Sequence, residues 1–308
     1  MRGQCPDSGH VRLGTVTGEN EAEIGEVNAF WQGLGLPGLV DVHVHFMPPN
    51  VQAKVWDYFD QAGEGRAWPI VYRLAEGDLV GLLRAFGLRR FGALAYPHKP
   101  DMAEWLNTWS VEFAARTPDA LQSATFFPEP SAGRYVAEAI EAGARLFKAH
   151  VQVGGYDPRD PLLEPVWGAL AESGVPLIIH CGSGPMPGAF TGPGPISEVL
   201  ARHPGLTLIV AHMGAPEFGE FLDLVSRYPR VHLDTTMVFT DFWDDIALFP
   251  AEMMPALADL GDRILLGSDF PSIPYPYVTQ LRGLAKLDLG DEWLRAVCWE
   301  NPVRLLGL

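Results

Sequence analysis

Short apolar runs recur along the chain, each followed by a stretch whose apolar positions return with helical spacing. Leu39–Phe46 is the first run, stopped by Met47, Pro48 and Pro49. Further runs cover 91–96, 123–127, 146–151, 175–180, 206–212, 231–235 and 263–269. Length and β-branched content read them as strands. Amphipathic stretches at 101–116, 131–143, 161–173, 195–203, 217–228, 251–260, 279–286 and 291–299 read as helices. Apolar strands alternating with helices predict buried parallel pairing. Eight such units predict an α/β fold, a (β/α)8 TIM barrel whose chemistry sits at the C-terminal ends of its strands. An open doubly wound sheet is the competing arrangement, but no strand leads into a GxGxxG turn. The whole of 1–308 reads as one barrel domain with a polar, loosely packed start at 1–22. The 47–90 stretch forms an insertion between strands one and two. Its Trp56, Tyr58, Phe59, Trp68 and Tyr72 suit either a cover over the barrel mouth or, the plainer alternative, a small aromatic core.

Polar residues interrupt this pattern at matching places. His43 and His45 close the first strand, and a spacing of two sets both rings on one strand face. His180 ends the fifth, His212 the sixth and Asp269 the eighth. Each is common alone as a satisfied core or turn residue. Together they bring imidazoles and a carboxylate to one end of the barrel, a donor set suited to a divalent ion such as zinc.

The motifs Asp41-Val42-His43-Val44-His45, Ile179-His180-Cys181-Gly182, Ala211-His212-Met213-Gly214, Leu266-Gly267-Ser268-Asp269-Phe270-Pro271 and the C-terminal run Glu300 to Gly307 occur in this order. In this combination the chain resembles the metal-dependent amidohydrolase superfamily. It is most similar to the second amidohydrolase-related family, which includes aminocarboxymuconate-semialdehyde decarboxylase and related aromatic-acid decarboxylases. The resemblance implies His43, His45, His180 and Asp269 as ligands of one divalent metal, Zn2+ or Mn2+. It implies His212 as acid/base and Asp269 as a proton acceptor from the metal-activated water. It also implies a homodimer or larger homo-oligomer.

Lys148 and His150 lie two apart at the end of the fourth strand and share a face. Lysines on that strand are carbamylated in binuclear relatives, which leaves a second metal open. A substrate-binding or supporting role is the main alternative, with a lysine reaching to the barrel rim as the plain one. His150 reads equally as pocket lining or support for a ligand. His98, Asp101, and the His232 and Asp234 pair are weaker candidates. Cys181 follows a ligand candidate but faces away from it in a strand and has no partnering base, so it reads as packing.

Composition narrows the function. With 38 acidic and 22 basic residues among 308, the formal charge is −16, which argues against nucleic acid or an anionic membrane surface as partner. Three scattered cysteines suggest no disulfide framework. No apolar run spans a membrane, and the start lacks an apolar signal core, so the expectation is a cytoplasmic enzyme acting on a small molecule. Two chemistries share the apparatus. One is hydrolysis of an amide, ester or lactone by a metal-activated water. The other is metal-dependent, non-oxidative decarboxylation of an unsaturated or aromatic carboxylic acid. Arg66, Arg73 and Lys148 are candidates to hold a substrate carboxylate. No arginine aligns with the family's basic residue, and that favours the hydrolase expectation.

Overall fold

The computed structural model describes residues 18–61 and 68–308. Nine strands run in chain order: β1 Leu39–Asp41, β2 Leu88–Gly92, β3 Ala120–Leu121, β4 Ser123–Thr125, β5 Leu146–His150, β6 Leu177–His180, β7 Leu208–Val210, β8 Val231–Asp234 and β9 Ile264–Leu265. Every pairing is parallel, in two sheets of order β1-β2-β3 and β4-β5-β6-β7-β8-β9. Only Gln122 separates β3 from β4, so they form one stave and the nine strands make eight staves. Between the first and last staves, Val42 N donates to Leu266 O (2.9 Å), Asp269 N to His43 O (2.9 Å) and His45 N to Phe270 O (2.7 Å). These bonds join the first and last staves of a (β/α)8 barrel, as the alternation of strand and helix predicts.

The interior is filled in layers. Val40, Val42, Leu94, Leu121, Leu146, Ile178, Ile209, Ala211 and Leu265 form an aliphatic cluster, and Leu306 of the C-terminal helix Asn301–Leu306 joins it. Alternation along β5 and β6 continues this inward face from Leu146 to Lys148 and His150, and from Ile178 to His180. The polar site thus stands on an apolar floor.

Strand-bearing regions follow the sequence reading, with two differences. The second stave begins at Leu88 and its assigned strand ends at Gly92, earlier than the predicted 91–96. The polar start is not loose from residue 18 onward, because Gly18–Gly33 is a helix; residues 1–17 lie outside the described residues. Ile24, Val27 and Trp31 return at helical spacing and pack against the core, Val27 fully buried, but this narrow face is hidden in the pattern by the acidic residues around it. Polar bonds add to that packing. Asn28 Nδ2 donates to Ala85 O (3.1 Å), Trp31 Nε1 to Phe86 O (3.1 Å), and buried Glu23 accepts from Tyr72 Oη (2.6 Å) and Val278 N (3.2 Å).

The insertion contributes helices Pro49–Gln61 and Glu76–Ala85. Its aromatics pack on one another: Phe59 stacks on Trp68 at 5.2 Å, and Trp68 meets Phe242 edge-on at 4.9 Å. Trp68 Nε1 donates to Ser272 O (2.8 Å) and Val71 N to Ile273 O (3.0 Å). The insertion is therefore tied to the loop that follows Asp269. None of the helices among the described residues is long and apolar enough to cross a membrane.

Candidate metal centre

The first and last staves deliver the central group. His43 lies just beyond β1, His45 sits at an isolated bridge to Leu94, and Asp269 follows β9. One ligand atom from each lies within 4.8 Å of the others. His45 Nε2 is 3.0 Å and His43 Nε2 3.2 Å from Asp269 Oδ1. Such close approach requires a small residue on the last stave. A Cβ on Gly267 would lie 2.2 Å from Thr236 Oγ1 and 2.9 Å from His43 Cβ, so only glycine fits without displacing the site.

Outer partners fix the ring tautomers. His43 Nδ1 donates to Asp234 Oδ2 (2.9 Å) and His45 Nδ1 to Leu94 O (3.1 Å). A carbonyl can only accept, so in a neutral ring each Nε2 keeps its lone pair. Those lone pairs face an ionised carboxylate oxygen at hydrogen-bond distance. Lys148 Nζ meets the His43 lone pair (2.9 Å), but the His45 lone pair and the Asp269 oxygen face each other with no donor between them, and a cation at their meeting point resolves that conflict. The donor set, two imidazole nitrogens and a carboxylate, is that of a divalent ion.

His180 and His212 show the same outward anchoring. His180 Nε2 donates to Gly184 O (2.8 Å), which leaves Nδ1 as its lone pair. His212 Nδ1 donates to Thr236 O (3.1 Å), which leaves Nε2, 4.0 Å from Asp269 Oδ2. His180 places no atom within the triad's span, so the structure brings three of the four expected ligands together and holds the fourth aside. His212 and Asp269 both adopt left-handed backbone, with φ of 53° and 69°. Neither is a glycine, and residues held in that region commonly mark functional sites.

The rings form a closed circuit around the barrel mouth. His45 contacts Tyr96 (5.5 Å), Tyr96 contacts His150 (4.9 Å), and His150 stacks on His180 (4.0 Å, 16°). His180 meets His212 (4.6 Å), His212 meets His43 (5.4 Å), and His43 returns to His45 (5.1 Å). Trp243 stacks on the outside of His212 at 5.2 Å and 10°.

Electrostatics follow from burial. Lys148 is 1% exposed, and its ammonium donates to His43 Nε2 at 2.9 Å. Burial lowers its pKa to about 8, although Asp269 and Asp234 oppose the shift. Burial and then Lys148 push His43 down to about 4. Burial also takes His212 to about 4, against the pull of Asp269. Burial alone would raise Asp234, but His43 and His212 outweigh it and hold the carboxyl at about 2. The same contest keeps Asp269 well below the usual carboxylate range, with His43, His45 and His212 opposing burial.

Other candidates fall elsewhere. His98 and Asp101 are exposed. His232 lies on β8 with its Nδ1 unpartnered, and it is not bonded to Asp234. Asp234 instead anchors His43 and accepts from His212 N (3.0 Å) and Thr236 N (3.2 Å). Arg73 is bound by Asp60. Arg66 and Cys5 lie outside the described residues. Cys181 is fully buried, and burial raises its thiol pKa, consistent with packing. Tyr96, Trp243 and the Leu94 carbonyl were not anticipated. Aromatic identity after a strand carries no signal that distinguishes a site wall from a core residue.

A family model described as amidohydrolase matches residues 40–308. The chain belongs to the amidohydrolase family. Solved structures agree on the fold of this amidohydrolase. An uncharacterised TIM-barrel protein from Bordetella bronchiseptica is 19% identical with a TM-score of 0.69, over 87% of this chain and 99% of that one. The 5-carboxyvanillate decarboxylase of Sphingomonas paucimobilis is 17% identical with a TM-score of 0.61, over 88% and 99%. A 2-pyrone-4,6-dicarboxylic acid hydrolase from Pseudomonas putida, described as putative, is 18% identical with a TM-score of 0.59, over 88% and 98%. Comparison with curated proteins finds no match. Family, barrel and His/His/Asp cluster together make this amidohydrolase a metal-dependent enzyme.

Proposed function

We propose that this amidohydrolase is a metal-dependent, non-oxidative decarboxylase of a planar unsaturated or aromatic carboxylic acid. The observation that carries the reading is Lys148. It is a buried ammonium beside the ligand triad, and among the described residues no carboxylate lies within ion-pairing distance of it. A buried charge needs a partner, and an acidic substrate supplies one. This supplies the basic group for which no arginine aligned, and it moves the reading from hydrolysis to decarboxylation. Names of solved relatives point the same way: besides 5-carboxyvanillate decarboxylases, one is a 2,6-dihydroxybenzoate decarboxylase with its substrate bound.

His43, His45 and Asp269 would hold the ion, and the uncommitted Nδ1 of His180 would complete the set. A bound divalent ion supplies Lewis acidity that offsets negative charge on the substrate's oxygens. Manganese is present in one related decarboxylase, and zinc suits the same donors. Lys148 binds the carboxylate, and the circuit of rings encloses a flat substrate. The proton that replaces the carboxylate on carbon comes from solvent: His212 Nε2, bare in the resting site, would take it up and pass it on, with Asp269 Oδ2 beside it to steady the charged ring. The balance is one carboxylate and one proton in, one C–H and one CO2 out.

The unprotonated Nε2 of His212 also favours a second reading, in which it accepts a proton from water during hydrolysis of a lactone or related acid derivative. The two separate in one experiment. Metal-loaded protein is incubated in D2O with 2,6-dihydroxybenzoate, 5-carboxyvanillate and 2-pyrone-4,6-dicarboxylate. Decarboxylation releases CO2 and leaves deuterium on the carbon that carried it. Ring opening of the pyrone without CO2 establishes hydrolysis instead.

A further inference from the structure

Four of the five histidines in the circuit turn an N–H outward to a carbonyl or carboxylate and leave a lone pair: His43, His45, His180 and His212. His150 is wired the other way. Its Nδ1 accepts from the backbone N–H of Val153 at 3.3 Å, so the proton of the neutral ring is on Nε2. Burial first, then neighbouring His180 and Lys148, disfavours a second proton on the ring. That Nε2–H has no hydrogen-bond partner among the described residues. It is the odd donor in a ring of acceptors, and in this tautomer it offers no lone pair to an ion.

Its direction is set by packing. The ring lies between Tyr96 (4.9 Å, 48°) and His180 (4.0 Å, 16°), so it cannot tip out of plane. The other unpartnered N–H at the site, Trp243 Nε1, belongs to a side chain with no exposure, whereas His150 keeps 9% of its surface open. A ligand reaches His150 first. His150 also stands one inward position beyond Lys148 on β5, towards the mouth.

We propose that His150 is a substrate-binding residue whose Nε2–H donates to an anionic oxygen of the bound acid, while Lys148 offers the opposing cation deeper in the barrel. This rests on the acidic-substrate reading above. The pair would select a flat carboxylate over the neutral amide of the same shape.

Protein labelled with 15N in its histidine rings tests this, metal-free and again zinc-loaded. The His150 signals are assigned by their loss in His150→Phe. The expected spectrum shows Nδ1 bare and Nε2 protonated, and benzoate added to the wild type moves the Nε2–H resonance. His150→Phe keeps the stack but loses the donor, and should bind benzoate ~10-fold or more weakly at unchanged zinc content. His150→Gln, whose amide nitrogen reaches a similar place, should recover binding to within about threefold of wild type. A proton on Nδ1, a resonance unmoved by benzoate, a Phe variant that binds like wild type, or a Gln variant as weak as Phe would each overturn the assignment. CO2 release is measured separately. If benzoate moves the resonance but no acid loses CO2, the decarboxylase reading falls and the donor stands.

Discussion

The two sides of the ring circuit are built from the same residue type and behave differently. On one side, His43, His45 and Asp269 bring lone pairs to a common point, each ring held from behind by Asp234 or Leu94. On the other, His150 and His180 stack face to face and bond to main-chain atoms three and four residues on, Val153 N and Gly184 O. Side-chain identity sets what a histidine is able to do. The acceptor or donor behind the ring sets which nitrogen faces the site, and therefore whether the ring offers a lone pair or a proton.

The largest effect should come from breaking the converging side. His45→Ala removes a triad member, and elemental analysis should find metal content falling from about one ion per chain to near zero. His180→Ala should lose less metal under the same conditions. Equal losses would erase the contrast between the two sides. Next, His212→Asn should lower kcat by about 10²–10⁴-fold with metal retained, because it removes the proton-holding nitrogen and no triad ligand. Asp234→Asn tests the partner behind the ring. It weakens the anchor of His43 and of the His212 backbone, and metal affinity read by competition with a chelator should drop by about 10–100-fold.

The smallest effect is a pH dependence. Lys148 has a pKa lowered to about 8, so its ammonium is present below that pH and lost above it. KM for an acidic substrate should therefore rise as pH passes about 8. In Lys148→Met that rise should disappear, because KM is already high throughout. A flat KM profile in the wild type would show that Lys148 does not face the substrate.

Much of this was legible because strands write their ends plainly. His43, His45, His180, His212 and Asp269 each interrupt an apolar run, and a period of two carries Lys148 and His150 onto one face of β5. The barrel followed from alternation alone. Tautomers did not, because they depend on Asp234, Leu94 O, Gly184 O, Thr236 O and Val153 N, four of which are main-chain atoms that any sequence supplies. His180 stands apart for the same reason: its Nε2 is turned to a loop carbonyl four residues on. The helix Gly18–Gly33 escaped notice because its apolar face is narrow, Ile24, Val27 and Trp31, and polar bonds from Glu23, Asn28 and Trp31 supply the rest of its anchoring.

Gly267 has no functional group, yet the acid–histidine cluster depends on the space it leaves. Grafting the polar side chains of this site onto another barrel would reproduce its chemistry on paper only. With even a methyl group at that position, the first and last staves could not come this close, and the cluster would lose its focus before any ion arrived. For anyone redesigning this enzyme, the residue to copy first is the one that does nothing but stay out of the way.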